Sequence, residues 1–268
     1  MAKGKASPRE PDMSFANYTP PNRLIEVERD VATAIAKVAY FISPKVVQRI
    51  AQLNTEWQQD FQNQFQEKIR PEHYFYQNSA CVFPGVRRQA SKEERKLRRQ
   101  KYHVTAAAII DDNWFPRELW CFLCTGKRYS GPLWKSSGLG NFELAHVLPH
   151  KGYELSGVSS WFAQIPENEP VHGLFCCAAN VILLPKGMAR PTDGTAGIRA
   201  AVLKRYFDLY GSIHAVGFNG FVLPSNLTWF DSIQWNPPIE PKDWAERVER
   251  LDKFRRARIA ELLLGSTP

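Results

Sequence analysis

Little in this sequence suits a secreted or membrane-spanning protein. Cysteine is scarce and odd in number, five in 268 residues. A disulfide framework is therefore not expected, and a cysteine cluster reads either as metal-binding or as small buried side chains. No apolar run approaches the roughly 20 residues that a membrane-crossing helix needs. No basic, apolar and small-residue leader opens the chain, whose start, MAKGKASPREPD, is polar and proline-containing; the expected location is the cytoplasm. No internal repeat is present. Acidic residues are in deficit, 27 against 35 Lys and Arg, giving a net charge of +8 and a pI near 9.3. That balance points to a polyanionic partner, most simply nucleic acid.

What is present fits a folded globular chain. Hydrophobic residues make up 44% and charged residues 23%, which excludes wholesale disorder, collagen-like repeats and a coiled-coil rod. The positive charge is concentrated. Pro84 to Lys101 carries eight Lys or Arg against Glu93 and Glu94, three quarters of the net charge in 18 residues. Charge runs are commonly solvated faces. Here the imbalance is too strong for a salt-bridge-laced helix, which favours phosphate contact by Arg87, Arg88, Arg95, Lys96, Arg98, Arg99 and Lys101. His73, Tyr74, Phe75 and Tyr76, just upstream, suit either base stacking or core packing.

Periodicity organises the rest. Leu24, Ile25, Val27, Val31, Ala34, Ile35 and Val38 predict a helix from Asn22. Ser43-Pro44 starts a second, with Val46, Val47, Ile50, Leu53, Trp57, Phe61 and Phe65 facing the core. Ser91 and Glu94 have capping-box form at the start of the basic segment. Val104 to Trp120 reads as short strands broken at Asp111-Asp112-Asn113. Further helices are expected from about Gly197 to Tyr210 and from about Asp243 to Leu264, the latter with Glu246, Arg247, Glu249, Arg250, Lys253, Arg255, Arg256 and Arg258 mostly on a solvated face. Between them, Val216 to Pro241 is strand-like and proline-rich. The expected organisation is a loose tail over 1–20, a helical, basic region over 21–103 suited to DNA binding, a core region over 104–215, and an extension with a terminal helix over 216–268.

The chemistry concentrates between Cys121 and Asp193. Phe142 to Pro149 reads as a short strand that presents His146 beside a proline stop. Asn180 precedes a second, buried strand, VILLP, and polar residues flank the start of a helix near Asp193. Two strands and a helix can bring a histidine, an amide and a carboxylate to one point.

Three motifs in this order resemble the HNH, or ββα-metal, nuclease family: Cys121-x-x-Cys124-Thr-Gly, then Glu143-x-x-His146-Val-x-Pro149, then Asn180-x-x-x-Leu184. The resemblance covers roughly residues 117 to 200, under a third of the chain. It implies an α+β protein with a ββα-metal core set between helical N- and C-terminal regions, and metal-dependent hydrolysis of double-stranded DNA. A neutral imidazole can take the proton of an attacking water, so the resemblance makes His146 the general base. Asn180 would orient His146 or ligate the metal through its side-chain oxygen, with Mg²⁺ or Mn²⁺ the cation that oxygen-rich ligation favours. The sequence departs from the family in having Ala145 before the base, and Ala189 and Arg190 where a later histidine is expected. His150, Asn180 and Asp193 are then the ligand candidates, while strand alternation turns Glu143 away from His146. For Asp193 a helix cap is the other reading.

The family also implies a structural zinc on Cys121 and Cys124, completed by Cys176 or its neighbour Cys177 together with His172. The other reading makes these cysteines buried apolar residues beside Trp120, Phe122 and Phe175. Large flanking regions suggest dedicated target recognition, as in a restriction or defence endonuclease; a homing-type endonuclease behaves alike. A homodimer fits the twofold symmetry of many DNA targets. The reading from another class is a non-catalytic zinc-knuckle protein that binds nucleic acid.

Overall fold

The computed structural model describes residues 22–65, 80, 114–148, 177–211 and 228–264. Among them, helices α1 (Asn22–Ala36) and α2 (Pro44–Phe65) precede α3 (Trp114–Thr125) and the short α4 (Gly131–Ser136). Strands β1 (Phe142–His146) and β2 (Val181–Pro185) follow, then α5 (Ala189–Gly194), α6 (Ala196–Tyr210) and α7 (Trp244–Leu264). The chain is thus mixed helix with a small antiparallel sheet, compatible with an α+β class.

The two N-terminal helices form where their periodicity places them. α1 buries Ala32, Ile35 and Ala36 against α6, while Leu24 and Val27 stay exposed. Pro44 needs no N–H partner at the first helical position. Ser43 caps the helix, its Oγ accepting from Lys45 N at 3.3 Å and donating to the Glu240 carboxylate. Val46, Val47, Ile50, Leu53 and Trp57 form the buried face of α2, against which α7 packs. Side chains of Phe61 and Phe65 lie outside the described set.

Residues 114–120 are helical, not strand as the sequence suggested. The reason is visible in WFPRELWCFLCT. It has no β-branched residue before Thr125, and its one proline sits in the first turn, where a helix tolerates it. Phe115, Leu119, Trp120, Cys121, Phe122 and Leu123 are all buried. The helix is short and buried on nearly every side, and a short, mostly apolar run is easily read as a buried strand. Gly126, at φ 70°, ends it with an N–H bond to Phe122 O at 2.9 Å, a left-handed terminus that glycine adopts without steric cost.

The sheet is narrow but reinforced. β1 and β2 pair antiparallel with Phe142 opposite Pro185 and His146 opposite Val181. On the outer side of β2, Tyr40 and Leu183 exchange N–H···O bonds of 3.0 and 3.1 Å. The α1–α2 connector then runs beside the segment after a 3₁₀ turn at Trp229–Ser232, with Ile42 bridging Ile239 in parallel. β2 is buried on both faces from Val181 to Leu184, which accounts for its unbroken apolar sequence.

α7 corrects a second expectation. Its charges are not all solvated: Arg255 is 2% and Asp252 6% exposed, joined at 2.5 Å. Asp252 also takes Arg256 at 2.6 Å, and both guanidinium groups lie over the Trp57 ring. Arg247 donates to Leu123 O at 2.5 Å, tying α7 to the end of α3. No described helix is long and apolar enough to cross a membrane.

Candidate functional site

β1 delivers His146 at its last residue, opposite the first residue of β2. Alternation places Phe142, Leu144 and His146 on one face and Glu143 with the buried Ala145 on the other. The His146 ring is half-buried, and its Nε2 is shielded from solvent.

Asn180 ends a 3₁₀ turn (Ala178–Asn180) that leads into β2, and it is wholly buried. Its Oδ1 accepts from Leu148 N at 2.5 Å and its Nδ2 donates to Leu148 O at 3.2 Å. Its own carbonyl accepts from Val147 N at 3.0 Å. One asparagine therefore holds the two residues that follow His146 through three hydrogen bonds. Its side chain is turned to backbone, so in this arrangement it braces the chain beyond the histidine. A buried amide can do this because it offers donor and acceptor at once, matching a peptide group.

Glu143 has a role that alternation alone did not supply. Its Oε1 accepts from Gly187 N at 2.9 Å and Ala189 N at 3.0 Å. The carboxylate thereby fastens β1 to the β2–α5 turn and to the first residue of α5. The only sequence signal was its position in a strand facing a glycine turn two elements later. Asp193 lies inside α5, and the residue at the N-cap of α6 is Thr195, not Asp193. The Asp193 side chain is outside the described set, as are His150, His172, Cys176 and the basic residues Arg87, Arg88, Arg95, Lys96, Arg98, Arg99 and Lys101.

Cys121 and Cys124 stand one turn apart near the end of α3, Cys121 buried and Cys124 exposed. Burial, reinforced by nearby Glu118, pushes the Cys121 thiol up to about 12. Packing around its sulfur similarly pushes the Cys124 thiol up to about 11, against the opposing pull of Arg247. Zinc would bind both as thiolates and displace their protons on binding. Cys177 is buried as well. Among the described residues no three His, Cys, Asp or Glu side chains gather as a metal site needs. A zinc at Cys121 and Cys124 would have to draw its other ligands from elsewhere in the chain.

A buried carboxyl also belongs to this region. Glu118 of α3 is fully buried, its Oε2 accepting from Tyr129 N at 2.6 Å. Desolvation raises its pKa despite that bond and the nearby Arg128. Compared with models of known protein families, with curated proteins and with solved structures, the chain matches none.

Proposed function

We propose that this chain is a metal-dependent endonuclease of the HNH type that hydrolyses phosphodiester bonds of double-stranded DNA in a restriction or defence role. One arrangement carries the reading: a histidine closes β1, an asparagine immediately precedes β2, whose first residue lies across from that histidine, and a helix follows, the ββα order that the sequence motifs resemble. His146 takes the proton of the attacking water. Asn180 acts as a positioning residue, holding Val147 and Leu148 so that the histidine leaves the strand in a fixed direction. Glu143 fixes the helix of the unit against β1. Helices on both sides of the unit give surface for target recognition.

A divalent cation, Mg²⁺ or Mn²⁺, would neutralise charge at the scissile phosphate. The described residues do not compose a cage for it. Asn180 is engaged with Leu148, and the other ligand candidates, His150 and the Asp193 carboxylate, lie beyond what is described.

The test is plasmid cleavage with Mg²⁺, with Mn²⁺ and with EDTA. The expected result is metal-dependent cutting that His146→Ala reduces by about 100- to 10,000-fold, the usual range for losing a general base, with DNA binding retained. Undiminished cutting by the variant overturns the assignment. A wild-type chain that binds DNA and cuts in neither metal is a binding protein instead.

A further inference from the structure

Charge is divided unevenly over the described parts of the molecule. Residues 22–65 carry five Lys or Arg and five Asp or Glu, and residues 228–264 carry seven of each. Residues 114–148 and 177–211, which build the ββα unit and its supports, carry nine against four. Most ion pairs among the described residues lie in the balanced segments; in the others Lys204 meets Asp208 and, across the division, Asp231. In the balanced segments Lys45 meets Glu240, Arg49 meets Glu56 and Glu249, Arg247 meets Asp243, and Arg255 and Arg256 share Asp252. Lys135, Lys186 and Arg190 are exposed, and no carboxylate among the described residues lies within ion-pair distance of them.

Lys186 and Arg190 lie four residues apart, and the fold brings the distant Lys135 to the same end of the hairpin. Gly140 is pressed against Lys135, where an added Cβ would come 3.0 Å from the Lys135 Cα. The next residue, Asn141, accepts through its carbonyl from Lys186 N at 3.1 Å. Arg190 follows Ala189, whose N–H donates to Glu143. All three backbones thus meet at the Phe142–Pro185 end of the hairpin. The one acid described there, Glu143, is occupied by two backbone N–H groups.

We infer that Lys135, Lys186 and Arg190 form a phosphate-contact surface for duplex DNA. It stands about 14 Å along β1 from His146, four residues at roughly 3.4 Å each. That span equals about four base steps of a duplex at 3.4 Å per step on each strand, so one bound helix can reach both. The surface is separate from the basic run at Arg87 to Lys101. Exposed unpaired cations suit phosphates because they release condensed counterions at little desolvation cost. The choice of duplex DNA rests on the endonuclease reading; the uneven charge does not.

The experiment measures binding of the full chain to a fluorescent duplex in EDTA, from 50 to 300 mM salt. Wild type is compared with Lys135→Ala/Lys186→Ala/Arg190→Ala, and with a control triple at the exposed flank cations Lys37, Lys242 and Lys253. Unchanged circular dichroism and melting certify each variant. Three phosphate contacts at about 0.9 each should lower the salt slope by about 2 to 3, while the control keeps the wild-type slope. A wild-type slope in the first variant overturns the inference. So does an equal fall in the control, which would mark diffuse charge, and so does wild-type preference for single-stranded RNA over the duplex or absence of duplex binding at 50 mM salt. Slope loss in a wild-type background that cuts no DNA with either metal sustains the surface and removes the endonuclease reading alone.

Discussion

The α2–α7 pair and the ββα unit solve opposite electrostatic problems. Along α2 and α7 each cation near the interface has an acid beside it, and one pair, Arg255 with Asp252, is carried into the interior. In the unit, polar groups are spent on backbone: Asn180 on Leu148, Glu143 on the turn before α5. Its exposed Lys135, Lys186 and Arg190 have no carboxylate partner among the described residues. The frame is neutral and self-contained, whereas the unit holds one strand end rigid and offers charge outward. Such a division lets a charged ligand bind without pulling apart the ion pairs that hold the frame.

If that division is right, damage to the frame costs stability and leaves the unit's chemistry alone. Asp252→Ala is the severest case, because it strands Arg255 as a buried charge. A loss of about 3–5 kcal/mol is expected, read by urea denaturation, with an unchanged salt slope for duplex binding in the folded protein. An altered slope would mean that frame and unit are not separable.

A middle-sized effect belongs to Asn180→Ala. It leaves the buried N–H and C=O of Leu148 without their side-chain partners, a cost of about 1–3 kcal/mol. Cleavage should fall much further than stability does, because the chain after His146 loses its brace. Equal, small losses in both would make Asn180 a structural residue only.

Smallest is the effect at Glu118. Burial raises its carboxyl pKa above the unfolded value of 4.5, so the folded chain keeps the proton to higher pH than the unfolded chain. The contribution of this group is complete below pH 4.5 and is lost as pH rises through the folded pKa. Glu118→Gln removes the ionisable group while keeping an acceptor for Tyr129 N. Its stability relative to wild type should therefore improve from pH 4 to pH 7. A difference flat with pH would contradict the desolvation argument.

Much of this frame could be read from residues alone. Ser43-Pro44 announced α2, the spacing from Leu24 onward announced α1, and VILLP announced a strand covered on both faces. His146 at a strand end and Asn180 before the next strand were legible for the same local reasons. α3 was not, because it is short, mostly apolar and buried on nearly every side, and such a run reads as readily as a buried strand. Arg255 looked like one more member of a charged face; only the packing of α7 on Trp57 distinguishes it from its neighbours. The meeting of Lys135, Lys186 and Arg190 was invisible for a different reason. It exists only once antiparallel pairing has brought residue 186 back to residue 141.

The connector between α1 and α2 has a consequence for how the chain acquires its structure. Its extended residues bond to Leu183 on one side and Ile239 on the other, and Ser43 reaches Glu240 across 197 positions. Closing contacts of such separation costs chain entropy before any packing rewards it. During synthesis at about 5–20 residues per second, Ser43 waits on the order of ten seconds or more for its partner to be made. The first two helices are therefore translated well before the residues that bind the connector between them.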